Sequence, residues 1–542
     1  MRRVVQSACN CDTVTVRVAR ATVLPPAIGV LWRIMCALCG HVVGRSGGPR
    51  SVVAAFGAAD WALARKTQRT RHSASLHLVA ATGRIRFVIV ALAAIAMAIG
   101  WAYSAATLAA AAGEGQSKSV RNILLFVADD HGMGDAGCYG NPVVKTPALD
   151  ALAAAGARFT HAFCTTASCS PSRSVILTGL HNHANGMYGL QHSYHHFQSF
   201  SNIKSLPVLL HEAGYRTAVA GKYHVAPEEV YRFDQTLRGP SPEAMADRCK
   251  SFIAADPGQP FFLYFCTTEP HRPFAREGSD PIDPAKVIVP PYLPDTPETR
   301  DELAKYYASI QRADKGLGRL MEILKQTGNW DNTLVIYISD NGAPFPGAKT
   351  TVYEPGIRLP CVIRHPGAKQ GGVCDAMITW ADLTPTILDF AGALPPKPQF
   401  HGRSFLKVLE GGSSEGWDEI YASHTFHEVT MYYPMRVVRT RKYKYILNLA
   451  HQLPYPFASD LWGSSTWQGV LKRGDRMYGP RTVEAYIHRP RHELYDLEKD
   501  PWESKNLAGD PQYAEVLAEL QAKLRQWQKQ TGDPWIIKYQ HE

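Results

Sequence analysis

Acidic residues are almost missing from the first 113 positions, where Asp12 and Asp60 stand against thirteen Arg and Lys. That stretch carries +11 and the whole chain +10, which leaves residues 114–542 at −1. The positive charge therefore belongs to the leader, and the main body carries no net basic signal of the kind that binds nucleic acid. No internal repeat is visible. With 45% apolar and 20% charged residues in 542 positions, the chain is ordinary globular material, long enough for two domains and a large core.

Long uncharged runs are also scarce, and one stands out, from Phe87 to Ala112. Arg84 and Arg86 precede it and an Ala-rich exit follows, the pattern of a secretory signal over about residues 84–112. Its length would also span a bilayer, so an uncleaved anchor is the alternative. Residues 1–83 lack clear periodicity and are read as lying upstream of a misassigned start. An exported location is expected in either case. Four of the eleven cysteines (Cys9, Cys11, Cys36, Cys39) fall in this upstream stretch, where no folded pattern surrounds them that would make a zinc site of their spacing. Seven remain, and an odd number in an exported chain leaves at least one thiol unpaired or modified.

Beyond the leader, strand-like and helical segments alternate. This predicts an α/β fold with a large, mostly parallel central sheet flanked by helices over residues 114–412. Near residue 410 the pattern changes. "MRVVRTRKYKYILNL" alternates like an antiparallel hairpin, and Val516, Leu517, Leu520, Leu524 and Trp527 form one helical stripe. A smaller α+β domain with an antiparallel sheet is expected over 413–542.

Four apolar runs each lead into polar residues. "NILLFVA" is followed by Asp129 and Asp130, and "RTAVAG" by Lys222 and His224. "PFFLYFC" is followed by His271, and "TLVIYIS" by Asp340 and Asn341. Ligands of open α/β sheets bind beyond the carboxyl ends of the strands, so these runs describe one site. Asp129, Asp130, Asp340 and Asn341 offer oxygen and no soft donor, a set that suits Ca2+, with Mg2+ as second choice. "CSPSRSVILTG" places Cys169, Pro171, Arg173, Thr178 and Gly179 at the start of a predicted helix. Taken alone, Cys169 could be a buried thiol, a nucleophile, a metal ligand or a residue that is modified. The helix start directs amides toward an anion, and Arg173, one turn on, could hold an oxyanion there.

The order C-x-P-x-R-x-x-x-x-T-G, together with "DD", "GKYH" and "DNG", resembles the sulfatases of the alkaline-phosphatase-like superfamily. The likeness runs from residue 120 to about 535. It implies that a formylglycine-generating enzyme oxidises Cys169 to formylglycine, whose hydrate supplies one hydroxyl to attack sulfur. The second hydroxyl later loses its proton and expels sulfate. It implies that Asp129, Asp130, Asp340 and Asn341 hold a calcium that also contacts residue 169, that Lys222 and Lys349 bind sulfate oxygens, and that His224 takes the diol proton. His271 is the candidate to protonate the leaving atom.

Within that family the runs "NGMYGLQHSYHHFQSF", "DNGAPFPGAKTTVY" and "HEVTMYYPMRVV" resemble the heparan sulfamidases, which implies N-sulfated glucosamine as substrate and a homodimer. Lys349 stands where that branch is expected to have arginine, and the branch's disulfides are not carried over. His427 and Glu428 are candidates for reading the sugar, and His192, His195 and His196 for lining the pocket. The rival expectations are an O-sulfatase acting on another carbohydrate or an aryl ester, a phosphonate or phosphate ester hydrolase, and an unmatured protein that only binds sulfated glycan.

Overall fold

The computed structural model describes residues 93, 95–101 and 120–542, apart from 275, 369–370, 398 and 538–542. Residues 109–542 form one compact unit; in the other, residues 1–108, positions 95–101 are helical. Most of the leader, including its cysteines and most of the signal or anchor segment, lies outside the described residues. Among the described residues no helix is long and apolar enough to cross a membrane.

The large sheet is built from β1 (Asn122–Ala128), β2 (Ala157–Phe159), β3 (Arg216–Gly221), β4 (Gln235–Leu237), β5 (Phe261–Cys266), β6 (Thr333–Ser339), β7 (Cys361–Arg364) and β8 (Gly372–Cys374). Their order across the sheet is β4-β3-β5-β1-β6-β7-β2-β8. The run β4-β3-β5-β1-β6 is parallel, and β7 lies antiparallel between β6 and β2.

Alternation along β1 shows why the strand is apolar throughout. Ile123, Leu125 and Val127 join a cluster that includes Val175, Ile176 and Leu177 of helix α1 (Cys169–Thr178). Leu124, Phe126 and Ala128 join another, with Met245 and Phe252 of α2 (Pro242–Ala254) and Leu317, Leu320 and Leu324 of α3 (Pro297–Gln326). Both faces are covered, so neither can carry polar residues. Phe126 stacks on Phe265 at 5.1 Å and on Tyr337 at 5.0 Å, binding the three central strands side by side.

The second sheet is antiparallel: β9 (Glu419–His424), β10 (Met435–Thr440), β11 (Tyr443–Asn448) and β12 (His492–Asp496), paired in that order. Leu520, Leu524 and Trp527 of α4 (Ala514–Thr531) cover one face, against Val438, Tyr445 and Leu494. The other face sends Val437, Ile446 and Tyr495 into the cluster that holds α1. The small sheet thus shares a core with the large one, and this sharing brings its loops to the strand ends described below.

A buried ion pair closes the C-terminal end of the chain. Arg436 on β10 donates through Nε and Nη2 to the two carboxylate oxygens of Asp533, at 2.7 and 3.0 Å. Burial would raise the Asp533 carboxyl, but Arg436 outweighs it and brings it down to about 2. Its charge therefore stabilises the fold above the unfolded carboxyl's titration, and that contribution is lost as the pH falls through about 2. Asp533→Ala strands the guanidinium and is expected to cost about 3–5 kcal/mol in urea unfolding at neutral pH. The difference from the parent should narrow steadily at acid pH.

Candidate active site

The four motif-bearing strands are neighbours, in the order β3-β5-β1-β6, and all point the same way. Their ladder continues past the strand ends. Lys222 N donates to Cys266 O, Asp129 N to Glu269 O and Asp340 N to Ala128 O, each at 3.0–3.1 Å. The backbones carrying the polar residues are therefore fixed before any side chain contact is made. Two glycines are required by this crowding. A Cβ on Gly221 (φ 85°) would run into the Cys266 carbonyl, and one on Gly342 into the Pro355 carbonyl. Asp130, His224 and Thr350 hold left-handed backbone, with φ of 73°, 55° and 66°, conformations that concentrate at functional sites.

Cys169 is the first residue of α1 and is 1% exposed. Its Sγ lies 3.8 Å from Asp130 Oδ1, and it forms one cluster with Asp129, Asp130 and Asp340 whose ligand atoms all lie within 4.8 Å of one another. Burial pushes the thiol well above its ordinary titration, more than Lys222 and Lys349 bring it down. Left as cysteine, the residue is a neutral thiol and a poor nucleophile. Ser168, which precedes the helix, does not cap it; its hydroxyl is 2.8 Å from His427 Nδ1. All seven cysteines among the described residues are unpaired.

The acidic group is heavily braced. Asp340 Oδ1 accepts from the amides of Asp130 and Asn341 at 3.1 and 2.8 Å, while Arg173 donates to its Oδ2 at 2.9 Å from Nε. Arg173 is fully buried, and its other contacts run to the Lys222 carbonyl and, at 3.8 Å, to Asp129. Braced on Asp340 and a carbonyl, it orients the acidic cluster. Burial raises the Asp340 carboxyl to about 7. For Asp129, burial is outweighed by Lys222, His271 and Arg173, which hold it well below the usual range. Asp129 Oδ1 and Asn341 Oδ1 are buried and accept no hydrogen bond. Uncompensated hard oxygens beside converging carboxylates are what a divalent cation would satisfy, and this cluster can bind a metal ion.

A cavity of about 590 Å3 opens above the cluster. Lys222 lines it and donates to Asp129 Oδ2 at 2.6 Å. Lys349 lies 3.0 Å from Asp130 Oδ2, 3.1 Å from His271 Nε2 and 3.1 Å from Asp460 Oδ2, which commits all three of its hydrogens. His271 Nδ1 is 2.5 Å from the Arg272 carbonyl, to which it donates, so Nε2 is the ring atom left for chemistry. Burial, then Lys349, lowers its pKa. His224 Nε2 lies 2.5 Å from His192 Nδ1.

Of the predicted sugar readers, His427 and Glu428 line the cavity, as do His192 and His195. His196 does not. It is exposed at φ 51°, and the turn set by it and Ser193 (φ 57°) gives the wall to its neighbours. Three charged lining residues went unnoticed in the sequence: Arg238, Arg276 and Asp460. Asp460 sits in "FASDLWG", where no motif or spacing marks it. Despite burial, Lys349, His427 and His271 hold its carboxyl far below the usual range.

An eight-stranded, mostly parallel sheet whose strand ends gather Cys169, three aspartates and two lysines in one cavity is an arrangement with known relatives. The Sulfatase family model matches residues 121–393, and this chain belongs to that family of hydrolases. A second model, "N-sulphoglucosamine sulphohydrolase, C-terminal", matches residues 348–455. The chain is 38% identical to N-sulphoglucosamine sulphohydrolase of Homo sapiens, over 77% of this chain and 91% of that one. It is 32% identical to an ulvan-active sulfatase of Formosa agariphila, over 76% and 80%. Among solved structures, BT4656 in complex with its substrate D-glucosamine-2-N,6-O-disulfate aligns with a TM-score of 0.59 at 22% identity, covering 77% of this chain and 99% of that one. The phosphonate monoester hydrolase of Agrobacterium radiobacter gives 0.57 at 22%, over 76% and 96%. At that identity the last two speak for the fold alone.

Proposed function

We propose that this sulfatase removes the N-linked sulfate of a terminal glucosamine on a heparan-like chain, using a calcium ion and a formylglycine made from Cys169. The observation that carries the reading is the cluster in which the Cys169 sulfur and the carboxylates of Asp129, Asp130 and Asp340 lie within 4.8 Å of one another. The choice of nitrogen over oxygen is supported by the human relative named for N-sulfoglucosamine and by the match of residues 348–455.

The orphaned oxygens of Asp129 and Asn341 fit a hard cation, which Asp129, Asp130, Asp340 and Asn341 would hold. When bound, calcium supplies Lewis-acid polarisation of the sulfate S–O bonds. The oxidised residue 169 supplies the oxygen nucleophile that its neutral thiol cannot. Arg173 keeps Asp340 in position. Lys222 and Lys349 turn from their carboxylates to the sulfate oxygens, each contributing about 3 kcal/mol toward developing charge. His224 accepts the proton that must leave residue 169 in the release step. His271, through Nε2, gives a proton to the departing nitrogen. Export, maturation by a formylglycine-generating enzyme, a homodimer, and a boundary near residue 412 between catalytic and C-terminal parts belong to the same reading.

The test is a desulfation panel on protein co-expressed with a formylglycine-generating enzyme. It comprises N-sulfated glucosamine, its 6-O-sulfated isomer, an aryl sulfate and a phosphonate monoester, each assayed with calcium and after chelation. N-sulfated glucosamine is expected to turn over fastest, and chelation to abolish turnover. Calcium at one hundred times its dissociation constant should stabilise the fold by about 2.7 kcal/mol. Faster turnover of the 6-O isomer would replace the proposed substrate, and indifference to chelation would remove the cation.

A further inference from the structure

Asp460 faces the same reacting centre as His271 but takes no part in the functions assigned so far. It lies on the short helix Ser459–Trp462, whose start is held by Glu428. Glu428 Oε1 accepts from Ser459 N at 2.8 Å and from Ser459 Oγ at 2.5 Å. Glu428 thus spends one oxygen fixing the segment that carries Asp460 into the cavity. Asp460 Oδ2 is 3.1 Å from Lys349 Nζ and 3.9 Å from His271 Nε2. Asp460 Oδ1 is buried and accepts no hydrogen bond, so half of the carboxylate is without a partner.

These distances place a carboxylate where the leaving atom must be. An atom that receives the His271 proton sits within hydrogen-bond reach of Nε2. Because Asp460 Oδ2 is 3.9 Å from that same ring nitrogen, one atom can touch both groups. What the carboxylate does there depends on the element. The bridging oxygen of a sulfate ester has lone pairs and no hydrogen, so a carboxylate beside it repels. The nitrogen of a sulfamate carries one hydrogen, which a carboxylate accepts, and it gains positive charge when protonated.

We propose that Asp460 is the residue that selects a nitrogen over an oxygen leaving group, by accepting the sulfamate N–H and stabilising the nitrogen as it becomes cationic. The inference rests on the reading of this cavity as an N-sulfate-cleaving site. Once Lys349 has turned to the sulfate, His271 Nε2 takes a proton from solvent and transfers it to the sulfamate nitrogen, making R–NH2+–SO3−. The oxygen nucleophile bonds to sulfur, the S–N bond breaks, and its electron pair stays on nitrogen. The amine R–NH2 departs and takes a second proton from water, giving an ammonium ion that Asp460 still binds. His271 regains its proton from solvent.

The test compares the parent enzyme with Asp460→Asn, which keeps the shape and removes the charge, in two measurements. The first is the ratio of kcat/KM for N-sulfated glucosamine to that for an aryl sulfate. The second is the dissociation constants of free glucosamine and glucose, which differ by an ammonium for a hydroxyl. The substitution should lower the ratio about 10- to 100-fold and weaken glucosamine by a similar factor, with glucose unaffected. Equal losses on both substrates, or equal weakening of both sugars, would overturn the selective role and leave Asp460 as a brace for Lys349. Unaltered thermal unfolding of Asp460→Asn excludes a folding defect as the cause. Should the parent fail to cleave the N-sulfate at all, the functional reading falls, while the glucosamine and glucose constants still decide what Asp460 recognises.

Discussion

Replacing Cys169 with serine should yield a protein that reacts once and stops. Serine at the head of α1 keeps an oxygen in the acidic cluster but has a single hydroxyl. It can take the sulfuryl group but has no second hydroxyl with which to expel it. The expected result is a burst of at most one product per protein, a mass gain of one sulfuryl group on the peptide containing residue 169, and steady turnover reduced by about 10⁴-fold or more. Cys169→Ala should show the same loss without the burst. The burial that keeps the native thiol neutral predicts that unconverted protein is also inactive, so activity across preparations should track the fraction of residue 169 present as aldehyde. Full steady turnover by unconverted protein would remove residue 169 from the chemistry.

His271→Ala should be nearly as damaging, but only for a poor leaving group. Departure of an amine without a proton is prohibitive, so kcat on N-sulfated glucosamine should fall by about 10²–10⁴-fold. An aryl sulfate, whose phenolate leaves readily, should lose far less. The geometry makes the two substrates separable. Nδ1 is tied to the Arg272 carbonyl, which leaves Nε2 with Lys349 and near Asp460 as the one ring atom facing the cavity chemistry. Equal losses on both substrates would mean that His271 serves as a support for Lys349. Full turnover of the N-sulfate by the variant would exclude an acid role.

Much of the candidate site was legible in the sequence because its residues are set by local order. Asp129, Asp130, Lys222, His224, His271, Asp340 and Asn341 each follow a strand by a few positions, so a buried apolar run and the polar residues after it already specify which end of the sheet they occupy. The helix start at Cys169 and the stripe of α4 were readable for the same reason, since a periodicity of 3.6 or 2 needs no long-range information. For Arg173, one turn of helix fixes its distance from Cys169 but not its partner, and Asp340, 167 positions away, holds it. His196 was misread because a left-handed turn, invisible in composition, gives the cavity wall to His192 and His195.

Asp460 could not be found in advance at all. It reaches Lys349 across 111 positions, in a segment without motif, because the small sheet shares its core with the large one and carries that loop to the strand ends. Sequence alone determined which polar residues follow the central strands and that Cys169 opens a helix, since both depend on neighbours along the chain. Only the tertiary structure decided that Asp460 stands beside Lys349 and His271, since that contact joins segments whose separation nothing local encodes.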